Sequence, residues 1–189
     1  GFLQAQVVFP SSCIPRSFDN TDFNLPAGSS GTYQGNGVFR LTTNANFQGG
    51  AVWYRRRLDM RVNFRIAVDV NLGNNDIGAD GIAFVLQNLD TGQGSAGGGL
   101  GYGGATPINP SMAIEFDTYT NPGFDPGTGE DHIAFVENGN TNVMHLAADT
   151  TLVDNLENGN YHSVESSWDP DTQILGYEFT HSNGTVYSD

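Results

Sequence analysis

The chain has 189 residues, of which 38% are hydrophobic and 11% aromatic, and this is enough apolar material for one globular domain. Twenty-one acidic residues stand against seven basic residues, and the resulting net charge of -14 argues against nucleic acid and anionic lipid as partners. No apolar run reaches the roughly 18 residues that a membrane-spanning helix needs, so membrane insertion is not expected.

The first residues differ from the rest of the chain. Gly1 to Gln6 are similar to the end of a secretory signal peptide that lacks its charged start. We therefore interpret residues 1–17 as an N-terminal lead segment that includes the remnant of a signal peptide. On this interpretation the protein is secreted or displayed at the cell surface. The single cysteine, Cys13, excludes a disulfide within the chain.

The next predicted elements are β-strands. Residues 62–72 alternate strictly, with one apolar face formed by Val62, Phe64, Ile66, Val68, Val70 and Leu72. Further strands are expected at 37–43, 50–54, 81–87, 111–117, 132–137, 143–147, 161–168 and 173–180. Glycine, asparagine, aspartate and proline separate these runs, and no segment shows a helical period. The pattern predicts an all-β protein built as an antiparallel β-sandwich.

Two glycine-rich segments interrupt the strands. Residues 73–81 lead directly into an apolar strand, and Asp80 lies at the junction, a place where functional carboxylates are common. Residues 92–104 contain eight glycines but no lysine-serine or lysine-threonine ending, which argues against a phosphate-binding loop. Glycine lets the backbone approach a ligand closely, so we interpret the second segment as a binding loop, with a flexible connector as the alternative.

Potential metal ligands are concentrated near residues 115–132. Glu115 and Asp117 are two positions apart, so they project from the same face of the predicted strand 111–117. Asn121, Asp125 and His132 follow, and the proline and glycine residues between them allow the chain to fold back. Because neighbouring carboxylates repel each other, this pattern predicts a cation site.

Taken in order, these motifs resemble the legume-type (L-type) lectin family, including its bacterial members. Residues 79–86 (ADGIAFVL) are similar to the loop that carries the sugar-binding aspartate, normally after a cis Ala-Asp peptide. Residues 97–101 (GGGLG) are similar to the family's glycine loop. Residues 114–126 (IEFDTYTNPGFDP), followed by 132–136 (HIAFV), are similar to its twin-metal loop. The resemblance extends weakly over residues 18–189 and implies a legume-lectin jelly roll.

The resemblance implies two cofactors. A transition metal, usually Mn²⁺, would be bound by Glu115, Asp117, Asp125 and His132. Ca²⁺ would be bound by Asp117, Asn121, Asp125 and the backbone carbonyl of Tyr119. The donor types agree with this division, since mixed imidazole and carboxylate ligands suit a transition metal and oxygen ligands suit calcium.

The resemblance also implies a shallow site for a monosaccharide or the end of an oligosaccharide. Asp80 would accept hydrogen bonds from the sugar, the Asn121 amide and the Gly98 N–H would donate, and Tyr119 or Phe124 would pack on the ring. Binding at such a site is expected to be weak, so multivalent display or a homo-oligomer would supply avidity.

Two departures from the family pattern bear on these expectations. Glu130 and Asp131 precede His132 closely, and either could replace or supplement it as a metal ligand. The family normally continues through more strands beyond the position of Asp189, so we expect the domain at 18–189 to be C-terminally incomplete, with exposed sheet edges.

Two other functions stay open. One is a metal-stiffened structural or adhesion module without sugar binding, although Asp80, Gly98 and Asn121 favour retained binding. The other is a β-sandwich glycoside hydrolase, which needs a pair of catalytic carboxylates. Position 120 is Thr120, where the common Glu-x-Asp-x-x-Glu pattern of such enzymes has an acid. We therefore predict a non-enzymatic, metal-dependent carbohydrate-binding module of a secreted or cell-surface adhesive protein.

Overall fold

The computed structural model describes residues 2–8, 16–17, 20–89, 92–125, 131–142 and 150–189, with side chains from residue 20 onward. These residues form an all-β fold. Its strands are β1 (Phe2–Val8), β2 (Arg16–Ser17), β3 (Phe23–Asn24), β4 (Thr32–Gly35), β5 (Val38–Arg40), β6 (Trp53–Tyr54), β7 (Phe64–Asn71), β8 (Gly81–Gln87), β9 (Ser111–Asp117), β10 (His132–Glu137), β11 (Thr150–Leu152), β12 (His162–Asp169), β13 (Ile174–Thr180) and β14 (Val186–Ser188). Helical structure in this part of the chain is limited to short 3₁₀ turns at Asn20–Asp22 and Gly97–Gly99, and no helix in it is long and apolar enough to cross a membrane.

The strands form two main antiparallel sheets. The larger has the order β14-β13-β12-β7-β1-β5-β4, with β2 paired to β1. The smaller has the order β11-β10-β9-β8, and β3 pairs with β6 separately. The predicted fold class, an antiparallel β-sandwich, is confirmed.

The core lies between these two sheets. The alternating apolar residues of β7, among them Phe64 and Val68, are buried together with Ile114 and Phe116 of β9 and Phe179 of β13. Phe116 and Phe179 pack with their ring centroids 5.5 Å apart. The period of two residues in each strand therefore places one face of every central strand in a shared apolar layer.

A second, smaller cluster lies on the opposite face of β9 and β10. Ala113 and Ala134 of these strands are buried against Tyr102, which lies within the glycine-rich segment 92–104, and against Ile108, which follows it. The Tyr102 backbone N–H donates to the Gly99 carbonyl at 2.7 Å. This packing holds the glycine-rich loop over the face of β9 that also carries Glu115 and Asp117.

Strand β8 forms one edge of the smaller sheet, and within the described residues it pairs with β9. Its side chains from Ile82 to Gln87 are only partly buried. A cleft of about 1610 Å³ runs beside it, with parts of residues 40–58 and 66–89 in its walls and Asp80 in its lining. The expectation that the domain is C-terminally incomplete stays a prediction.

Several expected elements differ in extent. Val62 lies before β7 and is exposed, so it does not join the apolar face of that strand. Met112 is 39% exposed, although it alternates with the buried Ile114 and Phe116. The strand predicted at 143–147 lies outside the described residues.

The N-terminal segment also has structure. Residues 2–8, which we interpreted as part of a lead segment, form β1 and pair with both β7 and β5 inside the larger sheet. The fold therefore includes residues ahead of position 18. The relation of residues 1–17 to a signal peptide stays a prediction.

Candidate functional site

Three of the predicted metal ligands meet on one face of the smaller sheet. In the pairing of β9 with β10, Asp117 lies opposite His132, and Glu115 lies opposite Ala134. Since side chains two residues apart share a face, Glu115 and Asp117 both project beside the imidazole. One ligand atom from each of the three residues lies within 4.8 Å of those of the other two.

This cluster is almost completely removed from solvent. Glu115 is 0%, Asp117 2% and His132 2% exposed. Burial raises the pKa of Asp117 to about 7, although the Tyr119 backbone N–H and His132 favour its ionised form. Burial alone would lower the pKa of His132, but the contact with Glu115 and the charge of Asp117 raise it. The carboxylate oxygens and the imidazole are therefore close together in a place where water cannot solvate their charges.

The donor set fits a transition metal. His132 Nε2 lies 3.6 Å from Glu115 Oε1, which is beyond hydrogen-bond distance. In the described part of the chain this nitrogen is buried and makes no hydrogen bond. A buried nitrogen lone pair facing two carboxylates is the arrangement that a divalent transition metal would complete.

The loop after β9 brings further oxygen donors beside Asp117. The Tyr119 N–H donates to Asp117 Oδ1 at 2.8 Å, and the Asn121 N–H donates to Asp125 Oδ2. Asn121 Nδ2 donates to the Tyr119 carbonyl at 3.2 Å. Asp125 is buried. The four residues expected to bind calcium are therefore adjacent, and oxygen is the ligand that Ca²⁺ prefers.

Asp80 lies next to this loop. The Ala79–Asp80 peptide is cis, as the resemblance implied. The Thr118 N–H donates to the Asp80 carbonyl at 2.9 Å, and the Asp80 carboxylate is hydrogen-bonded to Asn121. Burial raises the pKa of Asp80, the hydrogen bond with Asn121 opposes this rise, and the charge of Asp125 adds to it. A partly desolvated carboxylate of this kind is a strong hydrogen-bond acceptor.

The glycine-rich loop forms the other side of the same site. A Cβ atom placed on Gly98 would lie 3.3 Å from Asn121 Nδ2, and one placed on Gly97 would lie 3.8 Å from Asp80 Oδ2. The Thr141 hydroxyl donates to the Gly98 carbonyl at 2.9 Å and anchors the loop. Asp80, Gly98 and Asn121 therefore converge, although they are widely separated in sequence.

The remaining predicted residues have clear positions. Tyr119 and Phe124 are about half exposed, at 48% and 52%, so their rings are available to a ligand. Asp131 does not join the metal cluster: its Oδ2 accepts the Leu156 N–H at 2.6 Å. Among the two alternatives to His132, Asp131 is thus directed elsewhere, and Glu130 lies outside the described residues.

Sequence reasoning missed the residues that support this site. Thr118 and Thr141 hold the backbones of Asp80 and Gly98, and Glu157 reaches Thr118 from a distant loop. Thr118 could have been found from its position directly after Asp117. The other two residues carry no spacing or motif that identifies them.

Comparisons with known proteins agree with this architecture. The family model described as the legume lectin beta-barrel domain matches residues 15–189. Favin from Vicia faba is 29% identical over 133 residues, which cover 69% of this chain and 54% of that protein. The serine-rich adhesin for platelets of Staphylococcus aureus is 33% identical over 109 residues, covering 54% of this chain and 5% of the adhesin. The chain thus spans about half of one relative and a small part of the other.

The fold comparison points the same way. The crystal structure of basic winged bean lectin with Tn-antigen superposes with a TM-score of 0.73 and 21% sequence identity. The match covers 100% of this chain and 78% of the lectin. With a family-model match over residues 15–189, this chain belongs to the legume lectin family.

Proposed function

We propose that this domain binds the terminal sugars of glycans in a metal-dependent way and has no catalytic activity. The observation that carries the proposal is the convergence of Asp80, Gly98 and Asn121 beside exposed aromatic rings. The three residues come from separate loops and supply a carboxylate acceptor, a backbone donor and an amide. Sugar hydroxyls both donate and accept, so this set is complementary to them.

Recognition would use few groups. The Asp80 carboxylate would accept hydrogen bonds from sugar hydroxyls, while the Asn121 amide and the Gly98 N–H would donate. Tyr119 or Phe124 would cover an apolar face of the ring, because each exposes about half of its surface. Hydrogen bonds to an ionised group are the stronger kind, so most of the affinity would depend on Asp80.

Two metal ions would hold this geometry. Glu115, Asp117, Asp125 and His132 would bind Mn²⁺ or another transition metal, and Asp117, Asn121, Asp125 and the Tyr119 carbonyl would bind Ca²⁺. The ions would neutralise the buried carboxylates and fix the loop that carries Asn121. The orphaned His132 Nε2 and the oxygen-lined loop support this assignment. Restricting Asn121 before the sugar arrives would reduce the entropy lost on binding.

The same cluster argues against glycoside hydrolysis. The two strand carboxylates, Glu115 and Asp117, are 0% and 2% exposed. A catalytic acid or base must reach the glycosidic bond, and a buried carboxylate cannot contact a polysaccharide. We therefore assign Glu115 and Asp117 to metal binding.

A weak single site would suit a protein that displays several copies. The relative named a serine-rich adhesin for platelets contains a matching region within a much longer chain. We infer a secreted or cell-surface adhesive setting for this domain, where multivalent display or a homo-oligomer supplies avidity.

A glycan array with and without EDTA tests the proposal. It should include the Tn-antigen, because basic winged bean lectin was crystallised with it. We expect binding that EDTA abolishes and that Ca²⁺ plus Mn²⁺ restores. For the best glycan, Asp80→Asn should weaken affinity about 10- to 150-fold, the equivalent of roughly 1.5–3 kcal/mol for a charge-assisted hydrogen bond.

Asp171→Asn is the matched control, since Asp171 is an exposed residue in the turn between β12 and β13. It should bind as the unaltered chain does. Binding that survives complete metal removal would exclude the metal mechanism, and the absence of binding across a broad array would exclude sugar recognition.

A further inference from the structure

A second pair of buried carboxyl groups lies near the start of β10 and is not used by the proposed sugar site. Asp131 directly precedes β10, and Glu157 lies in the loop between β11 and β12. Their carboxyl groups lie close enough to share a hydrogen bond, and Glu157 is only 5% exposed. We call these two residues the Asp131–Glu157 pair.

The surroundings of the pair supply oxygen donors and little positive charge. The Thr118 side chain is hydrogen-bonded to Glu157, and the charge of Asp76 acts on Asp131. The chain contains no lysine. Among the described residues, the basic group acting on Asp131 is His132, which faces Glu115. Within the part of the chain that the structure describes, these two carboxyl groups therefore lack a side-chain cation of their own.

One oxygen of the pair is left without a partner. Glu157 Oε1 is fully buried and makes no hydrogen bond in the described part of the chain. By contrast, Asp131 Oδ2 accepts the Leu156 N–H at 2.6 Å. A buried carboxylate oxygen without a donor is strongly disfavoured, so a bound cation, a shared proton or an ordered water would complete this arrangement.

We propose that the Asp131–Glu157 pair, with the Thr118 hydroxyl and Asp76 at its margin, binds an additional divalent cation of the Ca²⁺ class. The donors that the described residues place here are oxygen atoms, and oxygen donors select a hard cation. The site is distinct from the Glu115–Asp117–His132 cluster. Asp131 and His132 are consecutive, and consecutive residues of an extended chain point to opposite sides.

An ion at this place would join three segments. The Val153 N–H donates to the Asp131 carbonyl at 2.9 Å, so the loop carrying Glu157 already lies against the start of β10. Thr118, the third member, donates its backbone N–H to the Asp80 carbonyl. The cation would thus tie the 153–158 loop to the backbone that supports Asp80, from the side opposite to the metal cluster.

Counting bound calcium tests this proposal. The full chain and its variants would be dialysed against Ca²⁺ and measured by elemental mass spectrometry, after circular dichroism confirms folding. We expect Glu157→Gln and Asp131→Asn each to bind one fewer equivalent than the unaltered chain. The site that is lost should have a dissociation constant on the order of 10⁻⁴–10⁻³ M, the range of calcium sites in extracellular modules. Glu178→Gln, at an exposed position on β13, is the control and should lose none.

Asp117→Asn separates this site from the proposed twin-metal site. It should lose the ions of that site but retain the equivalent that depends on Glu157. Infrared spectroscopy of the unaltered chain and of Glu157→Gln gives a second reading. Equal calcium counts in these two proteins would overturn the proposal. So would a neutral carboxylic acid band that persists at neutral pH under saturating Ca²⁺ in the unaltered chain and is missing from Glu157→Gln, because the pair would then hold a proton.

Discussion

Replacing Asp117 by asparagine should stabilise the protein once its metal ions are removed. Asp117 is 2% exposed, and burial raises its pKa from an ordinary value of 3.8 to about 7. Asparagine has the same shape and can still accept the Tyr119 N–H, but it carries no charge. The variant therefore removes the cost of burying an ionised carboxylate and keeps the local hydrogen bond.

The magnitude follows from the two pKa values. Because the folded state holds the proton more tightly than the unfolded state, the unaltered protein loses stability as pH rises from about 3.8 to about 7. At 1.36 kcal/mol for each pH unit, this difference amounts to roughly 4 kcal/mol at pH values above about 7. We therefore expect Asp117→Asn to be more stable than the unaltered chain by up to about 4 kcal/mol in EDTA at about pH 8, and by little at about pH 4.

Urea unfolding in EDTA, followed by tryptophan fluorescence across this pH range, measures the effect. With Ca²⁺ and Mn²⁺ present the order should reverse, because a ligand that binds only the folded state stabilises it and the variant would bind these ions poorly. Asp171→Asn should differ from the unaltered chain by less than about 0.5 kcal/mol throughout. If metal-free Asp117→Asn is the less stable protein at about pH 8, burial of the Asp117 charge is not what destabilises the metal-free fold.

Three further predictions concern the glycine loop, a buried histidine and the core. Gly98→Ala would place a methyl group 3.3 Å from Asn121 Nδ2, so it should weaken glycan binding in calorimetry while leaving the melting temperature nearly unchanged. An unchanged affinity would show that Asn121 can move without consequence. Burial lowers the pKa of His162, helped by the charge of His181 and opposed by the hydrogen bond to the Leu156 carbonyl. As pH falls, the unfolded chain therefore takes up a proton before the folded chain does, and the free energy of unfolding should decrease below about pH 6.5. His162→Gln should reduce this pH dependence in urea titrations. An identical pH profile for the variant would contradict the assignment. Phe179→Ala should cost about 3–5 kcal/mol in urea unfolding. Ile174→Ala, at an exposed position of the same strand, should cost less than about 1 kcal/mol, and equal losses would contradict the assigned core.

The strands that could be predicted are those with one buried and one open face. Strand β7 alternates because every second side chain enters the core, and β9 alternates because Ile114 and Phe116 face the core while Glu115 and Asp117 face the other way. Short strands such as β3 and β6 have two residues each, too few for a period to appear. The run that forms β1 could not be assigned from sequence alone, since a short apolar N-terminal segment fits a leader as well as a strand.

Within the site, residues on strands could be predicted to lie together, but contacts between loops could not. Glu115, Asp117 and His132 could be placed together because two of them share a strand and the third begins the next one. Contacts made by loops were not predictable in this way. Glu157 meets Asp131 only because the 153–158 loop folds onto β10, and no spacing in the sequence records that packing.

Strand pairing also gives the proposed sugar and metal sites a shared backbone. Gly81 lies opposite Asp117, and a Cβ atom on Gly81 would lie 2.1 Å from the Phe116 carbonyl oxygen. The two strands are therefore in close contact at this point. Asp80 directly precedes Gly81, and Asp117 directly follows Phe116, so both residues adjoin the contact. Sites joined this tightly obey thermodynamic reciprocity: whatever factor the ions add to sugar affinity, the sugar adds to ion affinity. A domain of this kind would bind calcium more tightly while it holds a glycan, and attachment would protect the very ions on which attachment depends.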